Sequence, residues 1–158
     1  MVGGLDRFRD HFSSHLRQYA LIGGSACDLL MEQAGLAFRA TKDLDIVLMA
    51  ETLDSGFARR FWDFIREGGY EVAQTGVGVP ARYRFVAPRS AGFPAMLEIL
   101  SVRPDGLGPA EGVRLARVRF DDGVSSLSAI LLQEEYYRFL RMGVRQVEGV
   151  SVVGAEHL

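Results

Sequence analysis

Apolar and polar residues alternate along this chain with two different periods, and the switches between them mark out its elements. Residues 5 to 16, LDRFRDHFSSHL, place Leu5, Phe8, Phe12 and Leu16 at spacings of three and four, which predicts an amphipathic helix. Tyr19 to Ile22 is a short apolar run that ends at Gly23 and Gly24 and reads as a buried strand. Ser25 then opens a helix as its N-cap, with Leu29, Leu30 and Gln33 as the inner face and Gly35 as the stop. After the connector FRATK, Asp43 to Met49 alternates with period two and reads as a second strand. From Leu53 to Gly68 the helical period returns, with Phe57, Phe61, Phe64 and Ile65 on one face.

The second half is read the same way. Tyr70 to Gln74 and Ala81 to Val86 form a hairpin around Gly76 to Pro80, with Tyr83 and Phe85 on one face and Arg82 and Arg84 on the other. Ala95 to Val102 is an apolar strand interrupted by Glu98, which shares its face with Met96 and Leu100. A carboxylate inside such a run is costly unless it meets a polar partner at its own level. Beyond the long loop Arg103 to Gly112, strands are expected over Val113 to Phe120 and Ser126 to Leu132, a helix over Gln133 to Met142, and two short strands around Gly149. The order predicts an α/β (α+β) protein with a mixed sheet flanked by helices. Residues 1–158 read as a single domain with a smaller β-rich portion from about 113.

Composition narrows the class. An apolar share of 48% with 24% charged residues suits a soluble globular chain. No apolar run is long enough to span a bilayer and the N-terminus lacks a hydrophobic signal core, so a cytoplasmic protein with no membrane partner is expected. Cys27 is the single cysteine, which excludes an internal disulfide, and it reads as a small buried residue of the helix. His11 and His15, four apart, read as a surface pair, and Tyr136 with Tyr137 as packing residues. The net charge of −2 gives no global attraction to nucleic acid. Lys42 is the lone lysine among 18 basic residues, and it adjoins Asp43.

The chemistry concentrates between Ile22 and Leu48. Asp43 and Asp45, two apart on a strand, project from one face while Leu44, Ile46 and Leu48 face the other way. Paired carboxylates repel unless they are solvated or share a divalent cation. With Glu98 on a later strand, three carboxylates offer the all-oxygen donor set that hard cations prefer. A D-x-D pair is equally at home at a solvated strand end. The Gly23-Gly24-Ser25 turn opens a helix, and helix N-termini bind phosphate. The same turn also serves as a plain strand-to-helix connection. Arg39, Thr41 and Lys42 stand within reach of a phosphate bound there, or form an ordinary solvated connector. The dinucleotide fingerprint and the Walker motif are both absent.

In order, Ile22-Gly-Gly-Ser, a helix, Asp43-Leu-Asp45 on a strand and an acid on a later strand resemble the nucleotidyltransferase superfamily, the fold of DNA polymerase beta. Within it, GGSACDLL followed by FRATKDLDIVL is most similar to the bacterial AbiEii-like branch, which includes toxins of toxin–antitoxin systems. The resemblance is strongest from Tyr19 to Met49 and extends through Val102. It implies that Gly23, Gly24, Ser25 and Lys42 bind the nucleotide, and that Asp43, Asp45 and Glu98 hold Mg2+ or Mn2+ as the catalytic carboxylates. It also implies transfer of a nucleoside monophosphate from an NTP to a hydroxyl of RNA (tRNA included), protein or a small molecule, with an antitoxin protein as a further partner. The third acid of this superfamily is commonly Asp, and here it is Glu98. Relatives continue into a C-terminal helical region that would begin near Leu158. Two other readings stand beside this one: a non-catalytic nucleotide-binding or interaction domain with the same fold, and a glycosyltransferase whose D-x-D binds a metal–sugar nucleotide.

Overall fold

The computed structural model describes residues 2–38, 41–75, 79–102, 115–118 and 127–158. Its elements in chain order are α1 (Leu5–His11), β1 (Tyr19–Ile22), α2 (Gly23–Gln33), β2 (Asp43–Leu48), α3 (Ser55–Gly68), β3 (Glu71–Thr75), β4 (Val79–Val86), β5 (Met96–Ser101), β6 (Leu115–Val118), β7 (Leu127–Leu131), α4 (Glu134–Met142), β8 (Val144–Val147) and β9 (Val150–Val153). The architecture is α/β, a mixed sheet with helices on both faces. Arg39 and the loop expected from Arg103 to Gly112 lie outside the described residues, as does most of the Gly76–Pro80 turn.

Among the described residues the sheet has nine strands, seven of them in the order β3-β4-β5-β2-β1-β9-β8. β2 and β5 are parallel at the centre, β1 runs antiparallel to β2, and β4 antiparallel to β5. The later strands join the same sheet. β9 lies parallel to β1, and β7 lies parallel to the end of β5 at Leu100 and Ser101.

Alternation along the central strands builds two cores. Leu44, Ile46 and Leu48 of β2 and Leu97 and Ile99 of β5 face α1, α2 and α3, where they meet Leu5, Phe8, Phe12, Leu29 and the α3 face of Phe57, Phe61, Phe64 and Ile65. Each such side chain contributes about 1.5–3 kcal/mol by leaving water, so this face dominates stability. On the opposite side Ala20, Val47 and Val153 meet Tyr137 and Leu140 of α4. The Tyr137 hydroxyl accepts from the Ala50 amide at 3.1 Å and donates to Glu51, which ties α4 to the end of β2.

Four local expectations are corrected. α1 ends at His11 rather than near residue 16; the chain turns from Phe12 onward, with the His15 amide donating to the Phe12 carbonyl at 2.9 Å. α2 starts at Gly23, so Ser25 sits inside its first turn and not at the N-cap; its hydroxyl donates back to the Ile22 carbonyl at 3.0 Å. The inner face of α2 is Ser25, Ala26, Asp28 and Leu29, and Gln33 is exposed. His11 is buried against Phe12 and Phe64 rather than on the surface, with Nε2 donating to the Arg60 carbonyl at 2.6 Å. That burial lowers its pKa. Gly35 does end α2, in the left-handed conformation, with Leu36 donating to the Met31 carbonyl at 2.8 Å.

Candidate functional site

The site is a row of residues crossing four adjacent strands. On β4 Arg84 pairs with Glu98 of β5, Glu98 pairs with Asp45 of β2, and Asp45 pairs with Ile22, the last residue of β1. Neighbouring strands lie about 4.8 Å apart, so register alone sets Asp45 beside Glu98. Asp43 precedes on the same face of β2, opposite Met96. Local alternation aims these side chains: Leu44, Ile46 and Leu48 of β2 and Leu97 and Ile99 of β5 point to the aromatic core, and Asp43, Asp45 and Glu98 alternate with them on the other face.

The helix opening closes over this row. Gly23 has φ +66°, and a Cβ placed on it would stand 2.5 Å from Asp45 Oδ2. A side chain here is disfavoured twice, by backbone conformation and by the carboxylate. Gly24 has the ordinary hand, and a Cβ placed on it would meet Thr41 at an ordinary 3.6 Å. Thr41 Oγ1 in turn accepts from the Asp43 amide at 3.3 Å, and Ala95 donates to the Lys42 carbonyl at 3.0 Å. The segment entering β2 is thereby held between α2 and the start of β5. Lys42 itself is exposed, and Ser25 is buried with its hydroxyl directed at its own chain.

Electrostatically the row is strained in a defined direction. Burial raises the Asp45 pKa above the ordinary carboxylate value; repulsion from Glu98 and then Asp43 adds to this, and Arg84 opposes it. Glu98 is mostly buried; its Oε2 accepts from Arg84 Nε at 2.7 Å and stands 2.7 Å from Arg84 Nη2 in an ion pair. Among the described residues no three His, Cys, Asp or Glu side chains gather as a ready metal-ligand set. The donors nevertheless fit a hard cation by type, being carboxylate oxygens whose mutual repulsion a divalent charge would relieve.

Arg84 is the site residue that sequence reasoning passed over. Its signal was present in the alternation of β4, which set Arg82 and Arg84 opposite Tyr83 and Phe85. Only the β4–β5 register identifies Glu98 as the partner. Cys27, in the first turns of α2, is half-buried. His157 packs against Phe139, and Tyr136 is exposed. A separate polar cleft, lined by residues that include Asp6, Arg7, Asp10, His11 and Arg60, lies by α1 and α3 and includes none of the three acids.

The sequence matches no protein-family model and no curated protein. Among solved structures, the chain has a likeness to the lincosamide antibiotic adenylyltransferase LnuA in its lincomycin-bound crystal structure, at 17% identity and a TM-score of 0.41, over 80% of this chain and 78% of that one. A likeness of this degree bears on neither reaction nor substrate. Among the described residues no helix is long and apolar enough to cross a membrane.

Proposed function

We propose that this protein is a metal-dependent nucleotidyltransferase that moves a nucleoside monophosphate from an NTP to a hydroxyl acceptor and releases pyrophosphate. The observation that carries the reading is the placement of Asp45, which lies between Glu98 on one neighbouring strand and the Gly23 helix opening on the other. Carboxylate oxygens of the type that suits a hard cation thereby adjoin a helix start of the type that suits phosphate, a combination that supports the reading of nucleotide chemistry.

In this reading Asp43 and Asp45 hold Mg2+ or Mn2+, with Glu98 as the third carboxylate. When bound, the metal neutralises phosphate charge and favours departure of pyrophosphate. The chain's own residues do the rest. Backbone amides at Gly23, Gly24 and Ser25 bind phosphate oxygens, and Gly23 leaves room for Asp45. Exposed Lys42 adds a positive charge beside them. Thr41 positions the Asp43 backbone. Glu98 accepts the proton as the acceptor oxygen attacks the α-phosphorus. The acceptor class is a hydroxyl on RNA, protein or a small molecule, and the sequence resemblance adds a toxin role with an antitoxin partner to what an acceptor search covers.

The Arg84–Glu98 ion pair favours a second reading, a nucleotide-binding domain without transfer, because it already engages the third carboxylate. One experiment addresses both. Calorimetric titration of each NTP with Mg2+ is expected to show binding by the wild type and none by Asp43→Asn, Asp45→Asn. Binding that ignores the aspartates would overturn the site; metal-dependent binding with no transfer to any acceptor would favour the second reading.

A further inference from the structure

The carboxylate row carries its own cation. Arg84 stands two strands from Asp45 with Glu98 between them, and both its Nε and Nη2 converge on Glu98 Oε2 at 2.7 Å. Both contacts fall on the single oxygen Oε2, whereas the strongest Arg–carboxylate forks place two parallel hydrogen bonds on two oxygens. The Glu98 side chain is only 16% exposed, whereas that of Arg84 is 40% exposed. The anion is therefore fixed in the sheet while the cation sits at its solvent edge on a long, rotatable stem. A divalent cation placed between Asp45 and Glu98 would compete with the guanidinium for the same carboxylate and repel its charge. An arginine displaced there would find its next anion in the phosphates of a nucleotide held at Gly23 and Gly24.

We infer that Arg84 is a counterion in exchange: it neutralises Glu98 until a metal binds between Glu98 and Asp45, and then transfers its guanidinium to the phosphates of the bound nucleotide. This rests on the metal–nucleotide reading above. It makes Arg84 a nucleotide-binding residue that couples metal arrival to phosphate capture, and it differs from a merely structural role in the sign of one effect. A structural arginine that holds Glu98 in place would strengthen metal binding, and its loss would weaken it. An exchanging counterion competes with the metal, and its loss strengthens metal binding when no nucleotide is present.

The test uses Mn2+ alone, followed by paramagnetic resonance of the free ion, and then Mg2+ with the preferred NTP by calorimetry. It compares wild type, Arg84→Gln and Arg84→Lys, with circular dichroism to confirm the fold. Loss of one charge-assisted pair at a partly exposed site predicts that Arg84→Gln binds Mn2+ about tenfold more tightly and Mg–NTP about tenfold more weakly. Arg84→Lys keeps the charge with a single donor group and is expected to fall between them; it serves alone if Arg84→Gln does not fold. Mn2+ affinity that is unchanged or reduced in both folded variants, with the wild type binding normally, overturns the exchange and leaves the site standing. No Mn2+ binding by wild type or either variant overturns the metal reading and this inference together.

Discussion

Gly23→Ala separates a glycine required by geometry from one that merely stands in a turn. The new methyl group faces two obstacles. At φ +66° an L-residue sits in the left-handed region, which costs about 1–2 kcal/mol. The Cβ would also stand 2.5 Å from Asp45 Oδ2, so the carboxylate must rotate away. Because that atom is the end of a rotatable side chain, the second cost is smaller in stability than in function, since it removes a proposed metal ligand from its place. Gly24→Ala meets neither obstacle: its nearest contact is Thr41 at 3.6 Å and its φ is ordinary. In α2 it gains helix propensity, so it is expected within about 0.5 kcal/mol of wild type or slightly above it. At about 2–4 °C per kcal/mol for a chain of this size, the backbone cost alone is expected to make Gly23→Ala melt about 2–8 °C below wild type. Differential scanning calorimetry without nucleotide measures this directly. The Asp45→Ala background isolates the carboxylate: there the backbone cost of Gly23→Ala persists while the contact cost disappears, a coupling of about 0.5–1 kcal/mol. Equal melting temperatures for the two glycine variants, or zero coupling with Asp45, would refute the reasoning.

Two further outcomes follow from the same geometry. Asp45→Asn is expected to raise the melting temperature at pH 7 without divalent cations. The folded pKa of Asp45 is raised, chiefly by burial and then by Glu98 and Asp43, so the folded state holds its proton more tightly than the unfolded chain. Its contribution to stability is therefore lost as pH rises through the folded value. The Asn variant should gain most above that window and little below pH 4; a gain that does not depend on pH would refute this source. Asp54→Ala removes the cap of α3, in which the carboxylate accepts from the Phe57 amide at 2.9 Å. It is expected to cost about 1 kcal/mol, or about 2–4 °C. The Asp54 pKa is lowered, mainly by that hydrogen bond, so the cost should fade as pH drops through the acid range, as urea denaturation at several pH values would show.

What the sequence determined by itself is what depends on neighbours along the chain. Period-two alternation in β2 and β5 separates Asp43, Asp45 and Glu98 from the apolar residues beside them. The helical stripe of Phe57, Phe61, Phe64 and Ile65 marks α3 and its buried face, and Gly35 marks the end of α2 because a left-handed cap favours glycine. Tertiary structure decided whatever needed two distant segments. Ser25 reads as a cap by local preference, yet the helix begins at Gly23, where a positive φ turns the chain directly out of β1. His11 reads as a surface residue on its own helix, yet α3 covers it and supplies the Arg60 carbonyl. Arg84 reads as the polar side of a hairpin strand. It becomes the partner of Glu98 only through the antiparallel register of β4 with β5, set by hydrogen bonds between strands and by burial of Phe85 against the core. A one-residue slip of that register would have turned Arg84 from Glu98. The chain's local pattern thus supplies which groups leave the core, and the pairing of its strands decides which of them meet.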